Sequence, residues 1–196
     1  MRVYAGQYPT EVAGLVVIAS APDDWRTRMP ASFVERADKS AGAQRRDFDL
    51  LPMAARIGLL RFLGFQSYFS YLRAHMPPEI AAAEISFLRR GKPFQAVRAE
   101  EIVQDDRLPI WSFVDQPLIV LDDKWQLPEH PTADDLEAER VWRELDENVA
   151  RHSVRGKLTV TERSGHMIPL EQPETVIGAV HDIMQQLRQE HGSGSP

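Results

Sequence analysis

The 196-residue chain contains no cysteine. That excludes disulfides, a thiol nucleophile, and any zinc or iron–sulfur site built on thiolates. It leaves the compartment open, because secreted and cytosolic proteins alike can do without cysteine. No uninterrupted apolar run is long enough to cross a bilayer. The opening residues, MRVYAGQYP, have no apolar stretch behind a basic one and so do not form a secretory signal, which leans toward a cytoplasmic setting. An excess of positive charge is also missing: the formal net charge is −6, so the chain as a whole offers no footprint for nucleic acid. Arg45-Arg46 and Arg89-Arg90-Gly91-Lys92 are short basic runs of the kind that coat solvated helix faces. There is no glycine-rich phosphate loop and no His-Glu-x-x-His. His130, His152, His166 and His181 are scattered, so neither a nucleotide nor a metal cofactor is expected.

What is present has the rhythm of an α/β protein. EVAGLVVIAS holds an apolar, β-branched run from Val12 to Ala19 without polar alternation, the pattern of a strand buried on both faces. APDDW follows as a turn. From about Phe33 to Val103 the character is helical. PPEIAAAEISFLRRGKP opens on prolines, as a helix can, and closes on Gly91. QPLIVLDD is a second buried strand. LEAERVWRELDENVARHS is an amphipathic helix, with Leu136, Val141, Leu145 and Val149 placed on one side. GKLTVTERSGH supplies a third strand, PETVIGAVHDIMQQLRQEH a last helix, and GSGSP a flexible tail. Strands separated by helical patterns argue for a parallel sheet with helices on its faces. Three strands alone leave both edges exposed. The chain also opens in helical sequence with no N-cap residue, which reads as a start inside a longer fold.

These segments resemble the C-terminal part of an α/β-hydrolase, over nearly the whole chain. MRVYAGQYPTEVAGLVVIAS looks like the stretch just after that family's nucleophile elbow, where a helix with an aromatic-Ala pair leads through Tyr-Pro into the next strand. The block from about Phe33 to Arg107 looks like the family's helical cap, and QPLIVL like the following strand. ERSGHMIPLEQPETVIGAVHDIM looks like the catalytic-histidine loop and last helix. The resemblance implies a partial α/β-hydrolase fold: residues 1–30 as post-elbow helix and strand, 31–110 as cap, 111–190 as C-terminal core with the histidine loop, and 191–196 as tail.

His166 carries the chemistry in that reading. Loops at the carboxyl ends of parallel strands converge on a crevice, and Ser164-Gly165 permits a tight turn from which His166 can project. A neutral imidazole there could take a serine proton and return it to a leaving group. The family sets its serine in Gly-x-Ser-x-Gly. None of the 11 glycines here has a serine two residues on. Ser20 is flanked by Ile18 and Pro22, and Ser164 is too near His166 in sequence to be its partner. The acid has two candidate places. Asp23 and Asp24 follow the first strand, where Ala19 stands in place of an expected aspartate. Asp122 and Asp123 end the second strand and are favoured, because they lie between the helical block and His166.

Three functions follow as expectations. The first is an esterase- or lipase-like serine hydrolase acting on a small apolar or acyl-type substrate, represented by an N-terminally truncated chain inactive alone. The second is a non-catalytic module that binds a partner or apolar ligand through its helices. The apolar segment Leu50 to Leu72, with Met53, Leu59, Leu60, Phe62, Phe65, Tyr68, Phe69 and Tyr71, could line a pocket, pack as core or touch a membrane surface. The third is a fragment that pairs with another copy through an exposed sheet edge.

Overall fold

The computed structural model describes residues 2–22, 24–59, 66–103, 115–124 and 127–192. The chain divides into two compact units, Met1–Phe33 with Arg107–Pro196, and Val34–Asp106.

The first unit is a mixed α/β layer structure. A short helix α1 (Arg2–Gln7) and a 3-10 turn (Pro9–Glu11) lead into β1 (Leu15–Ile18). The strands β2 (Leu118–Asp123) and β3 (Gly156–Thr161) complete a parallel sheet in the order β1-β2-β3, with Leu15 opposite Leu118, Ile18 opposite Leu121 and Asp123 opposite Thr161. The helix α2 (Trp25–Arg28) follows β1, α7 (Ala133–Ala150) joins β2 to β3, and α8 (Ile168–Glu171) and α9 (Pro173–Gly192) follow β3.

The apolar run of β2 has no alternation because both of its faces are covered. Leu118 and Val120 pack with Ala5, Val17, Val149 and Ala150 on one side. Ile119 and Leu121 pack with Ile168, Ala179 and Ile183 on the other. Each valine, leucine or isoleucine among them stabilises by about 1.5–3 kcal/mol when taken fully out of water. The two-residue period of a strand continues into the acidic end, which sends Asp122 toward the α7 side and Asp123 toward the α8–α9 side.

β1 is shorter than its apolar run. The ladder opens with Leu15 N–H donating to the Pro117 carbonyl (2.9 Å) and closes with Ala19 N–H on that of Leu121 (2.8 Å). Ala19 has φ +42°, in the left-handed region, so the backbone leaves the sheet there. Val12 and Ala19 still pack against the two apolar clusters, which accounts for the longer apolar pattern.

Helix α7 starts at a capping box. Asp135 N–H donates to the Thr132 hydroxyl oxygen at 3.2 Å, and Thr132 N–H donates to the Asp135 carboxylate at 3.0 Å. Its buried face is Ala138, Val141, Leu145, Asp146, Val149 and Ala150. Leu136, expected on that face, is 49% exposed. At 100° per residue it stands opposite Leu145, nine residues on, so its place in the stripe is corrected. The turn into β3 is tight. A Cβ on Gly156 would lie 1.7 Å from the Ala150 carbonyl oxygen. Ser153 holds this turn by donating its hydroxyl to the Gln116 carbonyl at 2.5 Å.

The second unit is helical. It takes in most of α3 (Ala31–Arg56), then α4 (Gln66–His75), α5 (Pro78–Leu88) and α6 (Lys92–Val103). Phe69, Leu72 and Ile85 form its core, flanked by Tyr71, Met76 and Leu88. The prolines do start α5, with Pro77 at the N-cap and Pro78 in the first turn. Gly91 turns the chain into α6 with φ +77°, and a Cβ there would approach that of Ala55 to 2.9 Å. Of the apolar Leu50–Leu72 segment, Leu50, Met53, Leu59 and Tyr68 are exposed while Phe69 and Leu72 are buried; Leu60, Phe62 and Phe65 lie outside the described residues. Among the described residues no helix is long and apolar enough to cross a membrane.

Candidate functional site

The carboxyl ends of β2 and β3 lie side by side, and the loop leaving β3 carries His166. A set of hydrogen bonds and an ion pair hold this loop in place. The Thr161 hydroxyl donates to the Asp122 carbonyl at 3.1 Å and accepts from the Ser164 hydroxyl at 2.5 Å. The Arg163 N–H donates to Gln172 Oε1 at 3.1 Å. The Gly165 N–H donates to the Glu171 carboxylate at 2.5 Å. The ion pair Lys124–Glu162 (3.2 Å) ties the loop's start to the residue following β2. Ser164 is thus buried with its hydroxyl committed to Thr161, whereas His166, two residues on, is exposed. Glu171 and Gln172, in the Glu-Gln-Pro-Glu stretch, anchor the loop from below and leave the imidazole to solvent.

Asp123 is the candidate acid that the structure brings to this histidine. Burial, foremost, raises its carboxyl above the ordinary aspartate range, and the charge of Asp122 adds to this. A hydrogen bond from its own backbone and the charge of His166 act in the opposite direction, while Glu171 pushes it up again. Asp123 and His166 are therefore within electrostatic reach, although among the described residues no hydrogen bond joins them.

Asp122 goes elsewhere. It is 6% exposed and faces α7, where Asp146 is 1% exposed. Desolvation, then a hydrogen bond to Asp122 and that residue's charge, push the Asp146 carboxyl up to about 9, against the pull of Arg143. Two adjacent buried carboxyls cannot both ionise cheaply, so at neutral pH Asp146 holds a proton and donates it to Asp122. Among the described residues its Oδ2 has no hydrogen-bond partner.

Asp24 is not among the groups that act on Asp123 or Asp146. Asp24 precedes α2, where its carbonyl accepts from the Thr27 hydroxyl at 2.8 Å. Asp23 lies outside the described residues. Among the described residues no group of three or more His, Asp or Glu side chains is arranged to hold a metal ion. Asp146 went unremarked in the sequence. Its signal was there to find, as an aspartate between Leu145 and Val149 on the buried side of an amphipathic helix. No protein-family model, curated protein or solved structure matches the chain.

Proposed function

We propose that the chain carries the acid and histidine of an α/β-hydrolase-like serine hydrolase, with Asp123 as acid and His166 as base. The observation that supports this most is their origin on the ends of adjacent parallel strands, with the His166 charge acting on the Asp123 carboxyl. In that arrangement Asp123 orients the imidazole and stabilises its protonated form, and His166 moves a proton between a serine hydroxyl and a leaving group. The partial hydrolase fold, with the second unit as a cap, belongs to the same proposal. So does the substrate class, a small ester or other acyl compound.

The nucleophile would have to come from outside these 196 residues, since they contain no Gly-x-Ser-x-Gly. Without a nucleophile and oxyanion donors the chain alone has neither covalent catalysis nor stabilisation of the tetrahedral intermediate. It is therefore expected to remain unlabelled by a serine-directed fluorophosphonate probe. Stoichiometric labelling that His166→Ala abolishes would overturn this part of the reading.

One observation favours a second reading. Among the described residues β1 pairs only with β2, and its sequence Leu-Val-Val-Ile has no charge or proline to guard the other edge. A pairing module would use that edge to add a strand from another chain. Sedimentation over a range of concentrations tests this. A strict monomer argues against self-pairing.

A further inference from the structure

A groove between α4 and α5, wholly within the helical unit, combines features that its own packing does not use. Arg73, Pro78, Ala82, Ile85, Ser86 and Arg89 line a cavity of about 420 Å³. Its floor is apolar, since Ile85 belongs to the same core as Phe69 and Leu72. Two guanidiniums and a hydroxyl stand around it, and among the described residues no acidic side chain lines it. Glu79 and Glu84 on α5 are outside the lining. Among the described residues neither Arg73 nor Arg89 has a carboxylate partner.

Arg89 is the more informative of the two. Its guanidinium carbon lies 5.3 Å from the centre of the Phe69 ring, a contact that orients the group without satisfying any N–H. Its Nε is buried and, among the described residues, has no acceptor. Nor is the side chain needed to finish α5, because the Arg89 backbone N–H already donates to the Ile85 and Phe87 carbonyls. The residue as a whole is half-buried, so an anion entering the groove would meet the terminal N–H groups of a guanidinium that has no carboxylate of its own among the described residues.

We infer that this groove binds an oxyanion with an apolar tail, a medium-chain carboxylate or alkyl phosphate, whose head group meets Arg73 and Arg89 and whose tail lies on Ile85, Ala82 and Pro78. The planar fork of Arg89 suits a carboxylate or phosphate head. The volume is within the range of small-molecule sites. This inference goes beyond the Asp123–His166 reading and does not depend on it.

Calorimetric titration of the full chain with octanoate and with octyl phosphate tests it, with octanol as the neutral control and acetate as the tailless one. At least one of the two amphipathic anions is expected to bind saturably and about tenfold or more tighter than either control, and their order identifies the head group. Arg89→Met and Arg73→Gln are each expected to weaken that binding by about tenfold, while His166→Gln leaves it unchanged. Octanol or acetate binding as tightly as both anions would overturn the inference, as would undiminished affinity in both arginine variants. If circular dichroism shows Arg89→Met unfolded, Arg73→Gln and the comparison of ligands on the unmodified protein decide the matter.

Discussion

Asp146 on α7 and Asp122 at the end of β2 form a buried carboxyl pair that shares a proton across the helix–sheet interface. The pair stands directly behind the candidate site, because Asp122 and Asp123 are neighbours that point to opposite faces of the same strand. Whatever fixes Asp122 also fixes the strand end from which Asp123 is presented.

The proton on Asp146 makes stability depend on pH. Its folded pKa, about 9, lies above the model value of 3.8 that describes the unfolded chain. The native state therefore holds a proton that the unfolded chain releases. This contribution is fully present below about pH 4 and is lost as pH rises through about 9. Asp146→Asn keeps a neutral donor and removes the titration. The variant should match the parent near pH 4 and gain on it steadily as pH rises, exceeding it in thermal midpoint at pH 8–9 by at least several degrees. Parallel melting curves from pH 4 to 9 would show that the pair does not share a proton.

Gly156 should tolerate no side chain. The Cβ of Gly156→Ala would overlap the backbone carbonyl of Ala150, at 1.7 Å, and backbone cannot step aside as a side-chain tip can. A loss of about 3 kcal/mol or more in chemical denaturation is expected. A loss below about 1 kcal/mol would mean the α7–β3 turn is looser than described.

Ala19 stores strain where β1 ends. An alanine at φ +42° carries a steric cost that glycine does not, of about 1–2 kcal/mol, partly offset by the greater freedom of glycine in the unfolded chain. Ala19→Gly should raise stability by about 0.5–1 kcal/mol in urea denaturation. A decrease would indicate that the Ala19 methyl, packed on the Ile119 cluster, contributes more than the strain removes.

The order of strands and helices was legible in the sequence because burial on both faces leaves apolar runs such as Leu118–Leu121, and one-sided burial leaves the stripe of α7. The ends of β1 were not, since Val12 and Ala19 bury apolar surface without joining the ladder. Leu136 was misplaced on its apolarity alone, although its spacing of nine residues from Leu145 already sets it on the opposite side of the helix. At the site, His166 and the two strand-end aspartates could be named from the sequence, but not their division of labour. That depends on strand register and on Asp146, which comes from a different element 24 residues beyond Asp122 and touches it only once α7 has packed on the sheet.

The central claim is that Asp123 and His166 act on one another. The most direct measurement is a carboxyl-¹³C NMR titration of Asp123 in the parent chain and in His166→Gln. The interaction with His166 lowers the Asp123 carboxyl against burial and Asp122, so removing it should move the Asp123 midpoint further up. An Asp123 midpoint unchanged in His166→Gln would contradict the pairing and, with it, the assignment of these two residues to a common site.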